Sequence, residues 1–396
     1  MADGHDGIDT AELKTATQLV LLGRDPQRFD GFVNTPVVRG STVLSASYDD
    51  LIHHRGRYSY GRRGNPTTEG FEAALQAIEG SDGVALTPSG LSACSIALLS
   101  VLNAGDHLLM VDTAYRPTRT VCDTVLTRMG VETTYYDPLI GAGIEGLIRD
   151  NTRAIFLEAP GSQSFEMQDV PAITAVARAR GVTTLIDNTW ATPVFFKPHA
   201  VGVDISIQAG TKYIGGHADL NLGTISAVGP AWKKVITTHG NLGITISPDD
   251  AALGARGLRT LAVRLAHHQQ AALEMAQWLQ GRPEVSRVLH PALPSDPGHA
   301  IWTRDFTGAS GLFSLILNPV PEQAVAAFFD ALTLFGMGYS WGGFESLAIP
   351  FDCSDYRTAT VWDVEGPAVR LHIGLEDTAD LKADLDQAFA KMRAAV

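Results

Sequence analysis

Residues 204–216 read DISIQAGTKYIGG and place Lys212 directly after a short apolar segment and just before the pair Gly215-Gly216. The apolar segment has the length and composition of a buried strand. A lysine held away from water at the end of such a strand has a lowered pKa and can act as an amine nucleophile. Lys212 is therefore the first candidate catalytic residue.

Strands and helices alternate on both sides of this stretch. Short apolar segments end at Asp112, Glu158 and Asp187, and helical patterns lie between them. A helix is predicted to begin at Asn65-Pro66, with Asn as N-cap, and to end at Gly80. Alternating β and α elements with nearly continuous apolar strands predict an α/β fold, in which helices cover both faces of a mostly parallel sheet.

The pattern changes near residue 250, where a long helical stretch is followed by short strands and two further helices. This change predicts a smaller α+β domain at the C-terminus. We expect three parts, namely an irregular N-terminal arm of residues 1–65, an α/β domain of residues 66–250 and a C-terminal α+β domain of residues 251–396.

Composition excludes several classes of function. The 396 residues carry a net charge of −13, which argues against binding to nucleic acid or to an anionic membrane. The first six residues lack the features of a signal peptide, and no apolar run reaches the roughly 18 residues of a membrane span. We expect a cytoplasmic protein without bound metal, since three scattered cysteines form no zinc or disulfide pattern. The low charged fraction, 18%, suggests a buried subunit interface.

The residues at the ends of two predicted strands and at the start of one predicted helix together suggest a bound cofactor. Ligands of open α/β sheets lie at the carboxyl ends of the strands, so Asp187 and Lys212 are expected to face one ligand. Pyridoxal phosphate (PLP) needs both groups, a lysine for the Schiff base and a carboxylate that keeps the pyridine nitrogen protonated. Residues 87–90, TPSG, precede an apolar helix whose N–H groups can bind the phosphate, and Thr211 can add a hydroxyl. Taken singly, a lysine after a strand is also typical of the surface, an aspartate at a strand end is typical of a turn or cap, and Ser-Gly before a helix is typical of a helix cap.

The glycine pattern GAGIEG at 141–146 resembles a dinucleotide-binding turn. Such a turn must follow its strand directly, whereas Asp137-Pro138 intervenes here. The adjacent histidine pairs at 53–54 and 267–268 point apart on a helix or strand, which argues against metal binding. Neither feature supports a second cofactor.

With these residues in place, the sequence resembles the Cys/Met-metabolism family of PLP-dependent enzymes of fold type I. The resemblance covers about residues 15–393. It rests on the order of eight motifs: YGRRG at 60–64, TAY at 113–115, IDNTW at 186–190, TKY at 211–213, HPALP at 290–294, RDFTG at 304–308, YSWGG at 339–343 and RLHIGLE at 370–376. It implies the PLP-dependent transferase-like fold, with a large, mostly parallel seven-stranded sheet.

The resemblance also implies roles for single residues. Lys212 and Tyr115 would be catalytic, with Lys212 holding PLP and moving the substrate α-proton and Tyr115 stacking on the ring. Asp187 would pair with the pyridine nitrogen. The other cofactor contacts would come from Ser89, Gly90, Leu91 and Thr211, with Tyr60 and Arg62 reaching the phosphate from a neighbouring subunit. Substrate would be bound by Arg370, Ser340, Trp341 and Tyr60.

Three positions indicate which reaction to expect. Ala209, Trp341 and His372 match the β-lyase pattern, and Leu91 in place of the common Met should matter little because its backbone makes the contact. We expect a carbon–sulfur β-lyase that cleaves L-cystathionine to homocysteine, pyruvate and ammonia in methionine biosynthesis. The expected assembly is a homotetramer, a dimer of dimers with shared active sites. A γ-lyase, a cysteine/cystine desulfhydrase and a non-catalytic regulator remain alternatives.

Overall fold

The computed structural model describes residues 12–396 and contains a large sheet of seven strands. The strands β1–β7 are Gly83–Thr87, His107–Val111, Glu132–Tyr136, Thr152–Glu158, Thr183–Asp187, Ile205–Ala209 and Gly223–Ala227. Their order in the sheet is β1-β7-β6-β5-β4-β2-β3. β7 is antiparallel to both of its neighbours, and the other four pairs are parallel. The expectation of a mostly parallel seven-stranded sheet is confirmed.

Twelve α-helices are present among the described residues. Helices α1–α12 are Thr15–Leu21, Tyr48–Ile52, Pro66–Glu79, Gly90–Val101, Arg116–Thr120, Val170–Arg180, Thr192–Phe195, Pro230–Asn241, Pro248–Gln280, His299–Asp305, Glu322–Ala331 and Thr378–Ala394. Short 3₁₀ or π segments add Pro26–Phe29, Gly61–Arg63, Val121–Leu126, Gly141–Leu147 and Pro198–Val201. None of the helices in residues 12–396 has both the length and the apolarity needed to cross a membrane.

Helix α3 shows how local sequence sets these boundaries. The Asn65 side chain accepts hydrogen bonds from the backbone N–H groups of Thr67 and Thr68, and the Thr68 hydroxyl accepts one from the Asn65 N–H. Gly80 ends the helix in the left-handed conformation. Phe71 and Leu75 lie on its buried face, where each large apolar side chain contributes roughly 1.5–3 kcal/mol. The predicted start and end of this helix are confirmed.

Strand β2 is apolar over its last four residues because neither of its faces meets water. Leu108, Leu109, Met110 and Val111 of β2 are each 0% exposed, although successive side chains point to opposite faces. Edge strand β3 differs, since its sequence ETTYY is partly exposed. The sequence did not predict β3, because an edge strand need not be apolar.

A second sheet lies in the C-terminal part of the chain. Its strands β8–β11 are Val285–Leu289, Leu312–Leu317, Leu347–Phe351 and Ala368–His372. They are all antiparallel, in the order β10-β11-β9-β8. Helix α9 contacts α1 and α3 as well as β8 and α12, and so belongs to both halves of the molecule. The expected boundary at residue 250 falls near its start and stays a prediction.

The N-terminal expectations are covered only in part. Residues 1–11 lie outside the described part, and the expectation about a signal peptide falls there. Between residues 12 and 65 the chain forms α1, α2, two short 3₁₀ segments and a single β-bridge between Thr42 and Tyr60. Leu19 and Leu22 in α1 and just after it are buried, whereas several later side chains are exposed, with Leu44 88% and Phe32 71% exposed.

Candidate active site

The strand-end residues meet at one edge of the large sheet. Asp187 is the last residue of β5 and lies in register with Glu158, the last residue of β4. Lys212 follows β6 by three residues, in a turn closed by the hydrogen bond from its own N–H to the Ala209 carbonyl oxygen. Tyr115 follows β2 and begins α5. Parallel strand topology therefore brings together residues that are about 100 positions apart in the sequence.

The amine of Lys212 is mostly buried and can act as a base. Burial and the nearby positive charge of Arg370 lower its pKa to about 8, against an opposing effect of Asp187. Its Nζ donates a hydrogen bond to the Ser340 hydroxyl over 2.5 Å and lies 5.4 Å from the centre of the Trp341 ring. A lysine with this pKa exists partly as the neutral amine near physiological pH.

Asp187 is a buried carboxylate with one well-bonded oxygen. Its Oδ1 accepts hydrogen bonds from the Thr189 N–H over 3.0 Å and the Thr189 hydroxyl over 2.5 Å. Its Oδ2 has the weak donor Cys94 Sγ at 3.9 Å. Burial raises the pKa of Asp187, and the bonds from Thr189 oppose that effect. Oδ2 can thus receive a protonated ring nitrogen, which would restore the charged form.

The N-terminus of α4 faces the turn that carries Lys212. The Ser89 hydroxyl caps this helix by accepting from the Ser92 N–H over 3.2 Å. Gly90 lies so close to the end of β6 that an added Cβ would come within 2.4 Å of the Ala209 Cβ. The Thr211 hydroxyl is bonded to the Leu222 backbone. The free N–H groups of α4 beside this tight approach suit a phosphate.

These groups fit PLP by their chemistry. A buried amine, a buried carboxylate and the N-terminus of a twelve-residue helix converge at the end of β5 and β6. No group of three or more His, Cys, Asp and Glu residues placed to hold a metal ion occurs among residues 12–396. The three groups match what PLP needs: a lysine for its aldehyde, a carboxylate for its ring nitrogen and N–H donors for its phosphate.

Arg370 supplies a buried positive charge for an anionic ligand. It lies in the centre of β11, is 8% exposed, and donates from Nη2 to the Ser340 carbonyl oxygen over 2.9 Å. Burial lowers its pKa to about 10, with Tyr115 and Tyr339 opposing. It forms no ion pair with a carboxylate of the described residues, and its Nε has no partner there. A planar guanidinium left in this state suits a substrate carboxylate.

Tyr115 is placed by a carboxylate to which the sequence assigned no role. The Tyr115 backbone N–H donates to Glu158 Oε2 over 2.7 Å, and the residue is 46% exposed. Burial, together with the charge of Asp187, raises the pKa of Glu158 well above its usual value. Glu158 carries the same signal as Asp187, an acid at the end of an apolar strand, and could have been chosen on that basis.

Tyr60 and Arg62 are not brought to this site within the chain. Arg62 donates to the Gly240 carbonyl oxygen over 3.3 Å and its guanidinium carbon lies 5.9 Å from the centre of the Tyr60 ring. Within residues 12–396, neither side chain forms a hydrogen bond or ion pair with Lys212 or Asp187. Their role in a neighbouring subunit stays a prediction.

The chain belongs to the Cys/Met metabolism PLP-dependent enzymes, whose family model matches residues 16–390. PLP is therefore its cofactor, and fold type I its architecture. A putative cystathionine β-lyase from Rhizobium johnstonii is 53% identical over 378 residues, which cover 94% of this chain and 95% of that protein. The cystathionine β-lyase of Escherichia coli is 42% identical over 393 residues, covering 96% of this chain and 100% of that protein.

A solved structure agrees with the fold. Cystathionine γ-synthase from Xanthomonas oryzae pv. oryzae, in complex with aminoacrylate and cysteine, superposes with a TM-score of 0.90 at 30% identity. The match covers 97% of this chain and 100% of that one. The expected family and fold class are both confirmed.

Proposed function

We propose that the protein is a carbon–sulfur β-lyase that cleaves L-cystathionine with water to homocysteine, pyruvate and ammonia, as a step of methionine biosynthesis in the cytoplasm. The observation that carries the proposal is the mostly buried amine of Lys212, whose pKa is lowered to about 8. It lies near the carboxylate of Asp187 and near Arg370, which forms no ion pair with a carboxylate of the described residues. Curated relatives named cystathionine β-lyase, at 41–53% identity, support the choice of substrate.

The residues of the chain divide the work of such a reaction. Bound PLP withdraws electrons from the substrate α-carbon and makes its proton acidic. Lys212 accepts that proton as the neutral amine that its lowered pKa favours. The leaving homocysteine sulfur then takes a proton, and water completes the release of pyruvate and ammonia.

Arg370 orients the substrate for this proton transfer. Two parallel N–H groups of its guanidinium can bind the α-carboxylate, while Nη2 is already fixed by the Ser340 carbonyl oxygen. The same Ser340 accepts a hydrogen bond from Lys212 through its hydroxyl. Ser340 therefore fixes the position of Lys212 relative to Arg370, which would bind the substrate α-carboxylate. This limits the positions that the substrate α-carbon can take.

The geometry described above supports a set of cofactor contacts. We propose that Asp187 holds the ring nitrogen, that Tyr115 covers one ring face, and that Ser89, Gly90, Leu91 and Thr211 hold the phosphate. Trp341 packs against Tyr213, with ring centres 5.4 Å apart, and closes the substrate side of Lys212. Asp187 interacts electrostatically with Lys212, and Gly90 at the N-terminus of α4 lies against Ala209, three residues before Lys212, which supports one PLP bound by all three.

The proposed assembly is a homotetramer formed by two dimers with shared sites. The exposed apolar side chains of the arm, among them Leu44, Leu51 and Phe32, support a large interface. Tyr60, 46% exposed, would then face the site of the neighbouring subunit with Arg62. The N-terminal arm of residues 1–65 is proposed as the contact.

The identity of the thiol product tests the proposal. Cleavage of L-cystathionine on the β side gives homocysteine together with pyruvate, whereas cleavage on the γ side gives cysteine. We expect homocysteine as the main thiol. Cysteine as the main thiol would assign a γ-lyase, activity on cysteine or cystine alone would assign a desulfhydrase, and a colourless, inactive protein would favour a regulator.

A further inference from the structure

Residues 339–343, called here the 339–343 loop, pack directly on the catalytic lysine. The Ser340 hydroxyl accepts a hydrogen bond from Lys212 Nζ over 2.5 Å. An added Cβ on Gly342 would lie 2.9–3.1 Å from backbone atoms of Lys212 and Tyr213. The position of this loop therefore sets where Ser340 meets the amine.

The loop adopts a backbone conformation that is unfavourable at Ser340, although glycine adopts it readily at Gly342. Ser340 has a φ of 87° and Gly342 a φ of 84°, and a side-chain-bearing residue rarely adopts the first of these. Such a conformation persists only where surrounding contacts hold it. Arg370 supplies one contact by donating to the Ser340 carbonyl oxygen over 2.9 Å.

His372 supplies the second contact from the same strand. It lies two residues after Arg370 on β11, so both side chains point to one face of the sheet. Its Nε2 lies 3.1 Å from the Gly342 nitrogen and 3.2 Å from the Gly343 carbonyl oxygen. Because the Gly342 N–H can only donate, Nε2 accepts from it in one tautomer and donates to Gly343 in the other. In both cases the imidazole is bonded to the loop backbone.

The surroundings keep this imidazole neutral. His372 is 0% exposed, and burial together with nearby His268 lowers its pKa to about 3, which the bond to Gly343 opposes only in part. Arg370 and Lys212 add to the lowering. A neutral imidazole can accept from the Gly342 N–H in one tautomer or donate to the Gly343 carbonyl oxygen in the other.

We propose that His372 is a positioning residue for the β-lyase reaction, acting through the 339–343 loop to hold Ser340 against Lys212 and Arg370. The inference rests on the proposed function. Arg370 fixes the loop at residue 340 and His372 fixes it at residues 342–343, so that two side chains of one strand determine the conformation of the substrate side of the site.

The test compares two variants of His372 with a matched control. His372→Leu removes the hydrogen bond but fills the space, and His372→Gln keeps both an acceptor and a donor at that reach. The control is His290→Leu. His290 is also 0% exposed and its Nδ1 accepts from a backbone N–H, that of Ala292, over 3.1 Å, but Ala292 takes no part in the site. Both kcat/KM for L-cystathionine and amide hydrogen exchange of residues 339–343 are measured on the PLP-loaded protein.

We expect His372→Leu to lower kcat/KM at least about tenfold and to speed exchange of the loop amides by a similar factor, as expected for a buried N–H left without its partner. His372→Gln should stay within about threefold of the wild type in both readouts, and His290→Leu should leave both unchanged. The proposal is overturned if His372→Leu leaves both readouts unchanged, or if His290→Leu lowers kcat/KM as much. If the wild type does not cleave cystathionine, the proposed function fails, while loop exchange still decides the role of His372.

Discussion

Lys212 should be indispensable for turnover, because no other side chain described at this site combines a nucleophilic amine with access to the α-proton. Lys212→Ala is expected to lower the rate of cystathionine breakdown below detection, measured as thiol release. Lys197→Ala is the matched control, since burial also lowers the pKa of Lys197 but its amine bonds to the Ile78 carbonyl oxygen. Near-native activity of Lys212→Ala would remove the lysine from the mechanism.

Arg370 should be intolerant of the change that keeps its charge. Arg370→Lys cannot offer two parallel N–H groups to a carboxylate. We expect a loss of about 2–5 kcal/mol of transition-state stabilisation, seen as a lower kcat/KM with a raised KM, because the buried carboxylate loses its two parallel charge-assisted hydrogen bonds. Arg259→Lys serves as a control, as Arg259 binds carbonyl oxygens at the end of α1 instead. A variant with normal KM but weakened PLP binding would place Arg370 at the phosphate.

The sequence predicted the site residues that follow the end of a strand, but not those whose role depends on a contact between neighbouring strands. Asp187 and Lys212 follow apolar segments and were found from that alone. Thr189, whose hydroxyl donates to Asp187 and accepts from the Ala209 N–H over 2.8 Å, was missed. Its role depends on the register of β5 against β6, which no local pattern contains.

Among the elements, the chain between β10 and β11 is tied to the large sheet by a buried carboxylate. Asp112 follows β2 and is 0% exposed. Its Oδ1 accepts from the Thr358 N–H over 2.9 Å and from Arg119 over 3.0 Å, and its Oδ2 accepts from the Thr360 N–H over 2.9 Å. Burial raises the pKa of Asp112, but the hydrogen bonds from Thr358 and Thr360 outweigh it, so that the pKa is lowered.

Asp112→Asn should therefore destabilise the fold in a pH-dependent way. A carboxyl whose pKa is lowered in the folded state contributes stability above its unfolded pKa of about 3.9, and this stability is lost as the pH falls through the folded value. We expect a loss of about 3–5 kcal/mol at pH 7, because Arg119 would keep a buried charge without its partner. The loss should shrink below about pH 4, as measured by urea unfolding at several pH values.

An exposed ion pair provides the control for this prediction. Asp355 pairs with Arg116 over 2.6 Å, and both side chains are more than half exposed. Asp355→Asn should cost less than about 1 kcal/mol at any pH. A loss for Asp112→Asn that stays constant between pH 7 and pH 3 would show that its charge does not hold this segment.

The sequence predicted the buried elements better than the edges. Both ends of helix α3 and the end of strand β5 at Asp187 were predicted to the residue, because caps and the end of an apolar run mark them. The helical stretch expected between β2 and the strand that ends at Glu158 is divided, since α5 is followed by a π segment, Val121–Leu126, and then by β3. Strand β10, LAIPF, is apolar throughout but contains Pro350, a residue that is atypical inside a strand, and it was not predicted.

In the whole molecule, the position of the N-terminal arm indicates how two chains would share a site. Tyr60 and Arg62 were chosen through the family resemblance, and their own chain places them against Gly240 instead of Lys212. The exposed apolar side chains of the arm are unfavourable in water. Both observations favour a neighbouring copy that receives the arm.

Mixed dimers test this shared site. Lys212→Ala and Arg62→Ala should each be nearly inactive alone. In a two-fold dimer that contains one chain of each kind, one site carries both changes and the other is native. Random mixing makes half the dimers mixed, so activity should recover to about one quarter of wild type by that symmetry. Verified mixed dimers without recovery would mean that Arg62 serves the site of its own chain.

Borohydride reduction followed by peptide mapping identifies the lysine that carries PLP, which we expect to be Lys212. Borohydride fixes PLP permanently to the lysine that holds it, and digestion then shows which peptide carries the label. We expect loss of the visible colour and a single labelled peptide that contains Lys212. Label on Lys197, the other partly buried lysine whose pKa is lowered, or on no lysine, would contradict it.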